Sequence, residues 1–399
     1  MEHEGEEFEE VHFEDDGEEP MDSDGEMDEA DDGDRDAQYG NDGEEIENAT
    51  YIFDRHSQPV QVVMASPCGR YVATGAEDDR GFVVDTTNGE LMIAFFGHKE
   101  TIFALAWNCD SSLVASADLS GEVKVWSLKE KKMVFSANEG GFDNGYGFVK
   151  FHTVAPNALL VALEDGNIYM YNVKDGNFKM YTGPVGVACR AGEFIADNKQ
   201  LLVLYEDGSV RNFDLKTQEA LSTAQGKSNE AISLVVGKSY SLVGFADCTV
   251  GLLVSTPEGL KFADHFKPEA NEKKEEGEEP HPIEAVDIWS GNGDLFAAAS
   301  LSGFLYIYEN RKIRLKLFHP DGVNRVKFCP GDKPRVITTC LDGKLRIWDC
   351  RSGDLLITLH GHRDQILDMT LVGHCCATAS DDTTVRYWDL NELEENPSV

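Results

Sequence analysis

The chain has 399 residues, 41% of them hydrophobic, and sets 73 acidic side chains against 35 basic ones, a formal net charge of −38. Such a field repels nucleic acid and anionic lipid and attracts basic proteins, so no direct nucleic-acid contact is expected. The opening MEHEGEEFEE has neither the basic nor the apolar region of a secretory signal, and no run reaches the ~18–20 apolar residues of a membrane helix.

Nine cysteines without a CxxC pair do not form a disulfide framework, and the neighbours Cys375 and Cys376 read as packing. A cytosolic protein, possible also in the nucleus, with reduced thiols, is expected. Residues 1–48 hold 24 Asp or Glu and a single Arg, a net of −23, which leaves −15 on the rest. That tail cannot bury enough apolar surface to offset its ordering entropy, so it is expected to be disordered. Within it, Ser23 stands in DSDGE, a context suited to an acid-directed kinase or simply a solvated serine.

From Ala49 the pattern changes to short apolar runs split by Gly, Asp and Asn, as in an all-β domain. The run ATYIFDRH, 49–56, precedes the first full repeat. Repeats align on Val84, Trp126, Tyr171, Phe213, Leu253, Tyr308, Trp348 and Trp388, spaced by 42, 45, 42, 40, 55, 40 and 40 residues. Six residues before each anchor stands Asp78, Ser120, Asp165, Asp207, Asp247, Ser302, Asp342 or Asp382. The long spacing holds a charged, proline-bounded insertion, 267–282, read as a flexible loop.

Each unit contains about four strands, as in ETIFALAW, LVASADL, EVKVWSL and KMVFSAN of the second. One four-stranded sheet buries neither face, whereas repeating it around a ring buries every face but the outermost edges. A period near 40 with four strands is therefore a propeller blade. The expected fold is an all-β, eight-bladed propeller over residues 49–392, between the acidic tail and a short C-terminal tail, 393–399. A seven-bladed ring with one irregular repeat is the alternative. The chain ends three strands into the eighth blade, so 49–56 is expected to supply the missing outer strand and close the circle.

No P-loop, GxSxG, HExxH or paired-Cys spacing is present, so no enzyme, cofactor or metal is expected. The Gly97-His98 and Trp348-Asp349 dipeptides resemble those of WD-repeat proteins, and that resemblance implies that the loop carrying each turn position opens on the face that binds partners, with the residue before it near the channel mouth: Glu77, Leu119, Glu164, Glu206, Ala246, Leu301, Leu341 and Asp381. Four of these are acidic, and Asp118 lies one step further back in the second unit. Glu77, Asp118, Glu164, Glu206 and Asp381 are the candidate contacts for Arg and Lys side chains of a partner, unless acidic turns serve only solubility. Tyr205 and Phe245 are either apolar anchors on that face or inter-blade core, and Trp107 and Trp289 are core.

Gly97-His98, Gly361-His362, Trp348-Asp349 and Trp388-Asp389 resemble the signature dipeptides of WD-repeat proteins. That resemblance implies a buried His–hydroxyl–Asp–Trp relay. His319, Thr338, Asp342 and Trp348 match it, as do His362, Thr378, Asp382 and Trp388. The second unit keeps His98, Ser116 and Trp126 but has Ser120 in the Asp position.

The stretch from Gly97 to Trp126, with GAEDDRGFVVD, YEDGSVRNFDLK and LDGKLRIWDCRSGDLL, resembles the angio-associated migratory cell protein family over about residues 50–390. Val84 departs from the Trp usual there. This group is similar to a yeast chaperone dedicated to one large-subunit ribosomal protein. The resemblance implies a cytosolic propeller that captures the basic N-terminal segment of a newly made ribosomal protein on an acidic face for ribosome assembly; the sequence itself gives no reason to expect self-association, so a monomer is expected. A multi-partner signalling, cell-migration or ubiquitin-ligase scaffold, and a histone-type acidic chaperone, are the rival expectations.

Overall fold

The computed structural model describes residues 46–138, 146–195, 197–228, 230–268, 281–291 and 294–390. Every regular element among them is a β-strand, and the strands form eight four-stranded antiparallel sheets. Blades one to seven cover 60–95, 102–138, 146–181, 189–225, 231–266, 283–318 and 323–359. The eighth combines 366–389 with the strand Tyr51–Phe53. The seven-bladed alternative is thereby excluded. Expectations for the acidic tail, Ser23, most of the 267–282 insertion and the C-terminal tail fall outside the described residues.

Successive blades pack through their first strands, and the last meets the first to complete the ring. Backbone N–H groups of Val63 and Ala65 in blade one donate to Asp368 and Thr370 in blade eight, each at 3.1 Å. Eight apolar clusters fill the structure, one at each junction between neighbouring blades. Second strands such as YVATGA and LFAAAS are almost wholly buried and rich in small residues, because both their faces lie against a neighbouring blade. At Gly75 the fit is close enough that a Cβ would sit 2.5 Å from Ile102 of the next blade. Outer strands such as KMVFSAN are largely exposed.

All eight anchor residues lie in third strands and are buried. In six blades the ladder to the fourth strand shifts register at that residue, which leaves a bulky side chain room to turn into the seam. Tyr205, Phe245, Trp107 and Trp289 are core as well; the first two are therefore not surface anchors.

The closing strand is Tyr51–Phe53, paired antiparallel with Val385–Asp389. Its hold begins earlier than the expected boundary at residue 49. The Asn48 N–H donates to the His360 carbonyl and the His360 N–H to Asn48 Oδ1, each at 2.9 Å, while Arg386 Nε donates to Glu47 Oε2 at 3.1 Å. Glu47 and Asn48 thus belong to the propeller, because a buried arginine of blade eight supplies the counter-charge that the sequence around Glu47 lacks.

Candidate binding face

The turn between second and third strands builds one face of the ring. In six blades the turn Asp accepts the N–H two residues on, at 2.8–3.2 Å, an Asx turn that holds the loop without outside help. The residue after it has positive φ in all eight blades: Gly in five, and Asp79, Cys248 and Thr383 in the others. This is the left-handed region that glycine tolerates best.

Relays beneath the turns are wired in three ways. In blade eight His362 joins Asp382 at 2.8 Å and Thr378 at 2.7 Å, and Trp388 Nε1 donates to the Thr378 hydroxyl at 3.0 Å. Blade two matches this with His98, Ser116 and Trp126, but its carboxylate is Asp118, 2.8 Å from His98. Asp118 is fully buried and also accepts from Ser120 and two backbone N–H groups. It is therefore corrected from a partner contact to the relay acid: Ser120 vacates that role and Asp118 takes it from the strand end. Glu122 approaches the same carboxylate and imidazole, yet it pairs with Lys124 at 2.6 Å, so the trio is a closed structural network.

In blade seven the expected His–Asp link is absent. Asp342 instead takes two bonds from Arg346, and Trp348 Nε1 donates to His319 Nε2 at 3.2 Å, next to Thr338 at 2.9 Å. Arg346 directs both terminal nitrogens to Asp342, whereas the equivalent Arg386 of blade eight gives Asp382 one bond at 2.8 Å, turns its Nε to Glu47 and leaves His362 its bond to the same carboxylate. Burial, followed by the Arg346 charge, lowers the His319 pKa to about 4. Blade one holds a relay the sequence reading missed: His56 bonds Thr74 at 2.9 Å and Asp78 at 3.1 Å, with Val84 in place of Trp.

Above the relays lie two concentric rings. The outer ring is the set of pre-turn residues. In seven blades their N–H is bonded at 2.9–3.2 Å to the carbonyl just before the first strand, as Glu206 to Ala188 and Asp381 to Gln365, so their side chains share one level. The inner ring comes from a β-bulge near the start of every first strand. Its unpaired residues are Gln61, Phe103, Gly147, Arg190, Ile232, Glu284, Asn324 and Leu367.

Glu77 and Glu164 are exposed, Glu206 and Asp381 partly so. Gln61 Nε2 donates to Glu77 at 2.8 Å, and Arg190 forms an ion pair with Glu206, the same inner-to-outer pairing in blades one and four. Burial, then the charges of Asp364, Glu77 and Asp382, pushes the Asp381 pKa up. At the seam of blades eight and one, Asp364 and Glu77 thus lie near enough to Asp381 for their charges to act on it, and Asp364 is a neighbour that the repeat offsets did not single out.

Glu164, Glu206 and Leu119 share a cavity of about 540 Å³ with Phe103, Arg190 and Ile232. Leu301 and Leu341 meet over Gly322, and Val185 is 95% exposed on the loop before blade four. The face thus alternates two acidic sectors with apolar ones.

Fold and repeats define the class, a WD-repeat propeller: the WD domain, G-beta repeat family matches residues 89–127, 312–349 and 353–389. Human angio-associated migratory cell protein is 32% identical over 339 residues, covering 82% of this chain and 76% of that one. The chain belongs to the angio-associated migratory cell protein family. Among solved structures, Sqt1 of Saccharomyces cerevisiae superposes with a TM-score of 0.75 at 19% identity, over 86% of this chain and 99% of that one. Chaetomium thermophilum Sqt1 bound to the N-terminus of ribosomal protein L10 gives a TM-score of 0.74 at 18% identity, over 86% and 100%.

Proposed function

We propose that this propeller is a chaperone in ribosome assembly that holds a basic segment of a ribosomal protein across the double ring. The carrying observation is the ring charge: five acids, Glu77, Glu164, Glu206, Glu284 and Asp381, and one cation, Arg190, over sixteen positions. Acidic sectors would take Lys or Arg side chains and the leucine sectors the apolar residues between them. The raised pKa of Asp381 supports the same reading, since a carboxylate crowded by like charges gains most when a cation arrives. Fold likeness to Sqt1, a yeast protein named for ribosome assembly, supports the client class.

The test is titration of the full chain with a synthetic peptide of the L10 N-terminus. Binding is expected, and Glu77→Lys, Glu164→Lys and Asp381→Lys should each weaken it about tenfold or more. Affinity unchanged by all three reversals would rule out the ring as the site. A scaffold contact on the blade rims would survive them.

A further inference from the structure

The inner ring suggests how the site limits what it accepts. Arg190 is the extra residue of the blade-four bulge, between the paired Cys189 and Ala191. Because the bulge leaves it outside the ladder, its side chain can reach the mouth, where it pairs with Glu206; the two are 43% and 42% exposed. It is the one cation of the double ring, and it borders the cavity shared by Glu164 and Glu206.

We propose that Arg190 is a specificity-determining residue that occupies Glu206 in the place of a partner's cation. This rests on the reading of the ring as a site for basic segments. With Arg190 in position, Glu164, flanked by Leu119 and Phe103, is the one carboxylate among the described residues lining the cavity of this sector that is left without a cation. The sector then favours one Lys or Arg beside an apolar residue over two adjacent cations. A partner with two cations there would have to displace Arg190, so densely charged polycations are disfavoured although the whole molecule is strongly acidic. The bland function of a half-exposed ion pair, holding the loop, would contribute little stability and leave selectivity untouched.

The experiment measures affinity of full-length wild type, Arg190→Gln and Arg190→Lys for the L10 N-terminal peptide and for an oligolysine of equal length, with thermal melts as a folding control. Removing one positive charge beside an incoming cation should tighten oligolysine about fivefold or more. The gain for the L10 peptide should be smaller, and Arg190→Lys should stay close to wild type. Equal or weaker oligolysine binding by a folded Arg190→Gln would overturn the proposal while wild-type peptide binding leaves the site itself standing. No binding of either peptide to wild type would remove the basic-segment reading and the role of Arg190 with it.

Discussion

At the scale of single residues, the relays show how local chemistry rewires a repeated motif. His98 and His362 each hold a carboxylate, whereas His319 has lost its own to Arg346 and lies buried and neutral. The unfolded chain protonates this imidazole near 6.5, the folded one near 4. Between those values the unfolded state binds more protons, so the stability held by a neutral His319 is lost as pH falls through that window. Relative to His319→Asn, wild type should lose about 3 kcal/mol from pH 7 to pH 4. Urea denaturation of both proteins across that range checks it; a constant difference would contradict the account. Asp118 and Asp382, held low through their His partners despite burial, add a further loss of the same sign below the ordinary carboxylate range. The relay positions of blade eight were legible as written because each residue occupies its aligned place. Asp118 was not, since alignment by offset sees Ser120 in the turn but not which neighbouring oxygen the histidine can reach.

At the scale of elements, the closing strand is short but well anchored. Phe53 is buried and packs edge-on against Phe82 of blade one, while Asn48 and Thr50 bond His360 and Tyr387. His56, just beyond, completes the first relay. Removing 1–45 should therefore leave the melting temperature of the propeller unchanged. Removing 1–57 forfeits one buried aromatic and several hydrogen bonds, about 4 kcal/mol or more, and should lower it by about 5 °C or more. Coincident melts of the two truncations would mean that the strand does not close the ring. That an extra strand existed was readable from the run 49–56 and the missing fourth strand of the last repeat. That Glu47 and Asn48 join it was not, because in sequence they continue an acidic tail, and only Arg386 and His360, more than 300 residues away, give them partners.

For the whole molecule, charge acts at two ranges. The acidic excess of 1–48 and of the propeller sets a long-range field that is screened by salt. In the proposed function that field would steer a basic partner, and the ring residues would act at contact. Removing 1–45 should slow association with the L10 N-terminal peptide and flatten its salt dependence, with dissociation little changed. Glu164→Gln should chiefly speed dissociation. Stopped-flow kinetics at two ionic strengths separates the two, and a truncation acting only on dissociation would refute the steering role.

The repeat period, the turn offset and the alternation of apolar residues are local properties, and they determined an eight-bladed all-β propeller and the positions of its outer ring of acids. The inner ring was decided only by tertiary structure. A β-bulge leaves little mark in composition, and Gln61, Arg190 and Glu284 share no residue type that would align them. Their common level at the mouth exists because every first strand bulges at the same height and all eight converge on one axis. Which acids remain open, which is buried and which already holds a cation follows from that convergence, as it did for Glu164, Asp118 and Glu206.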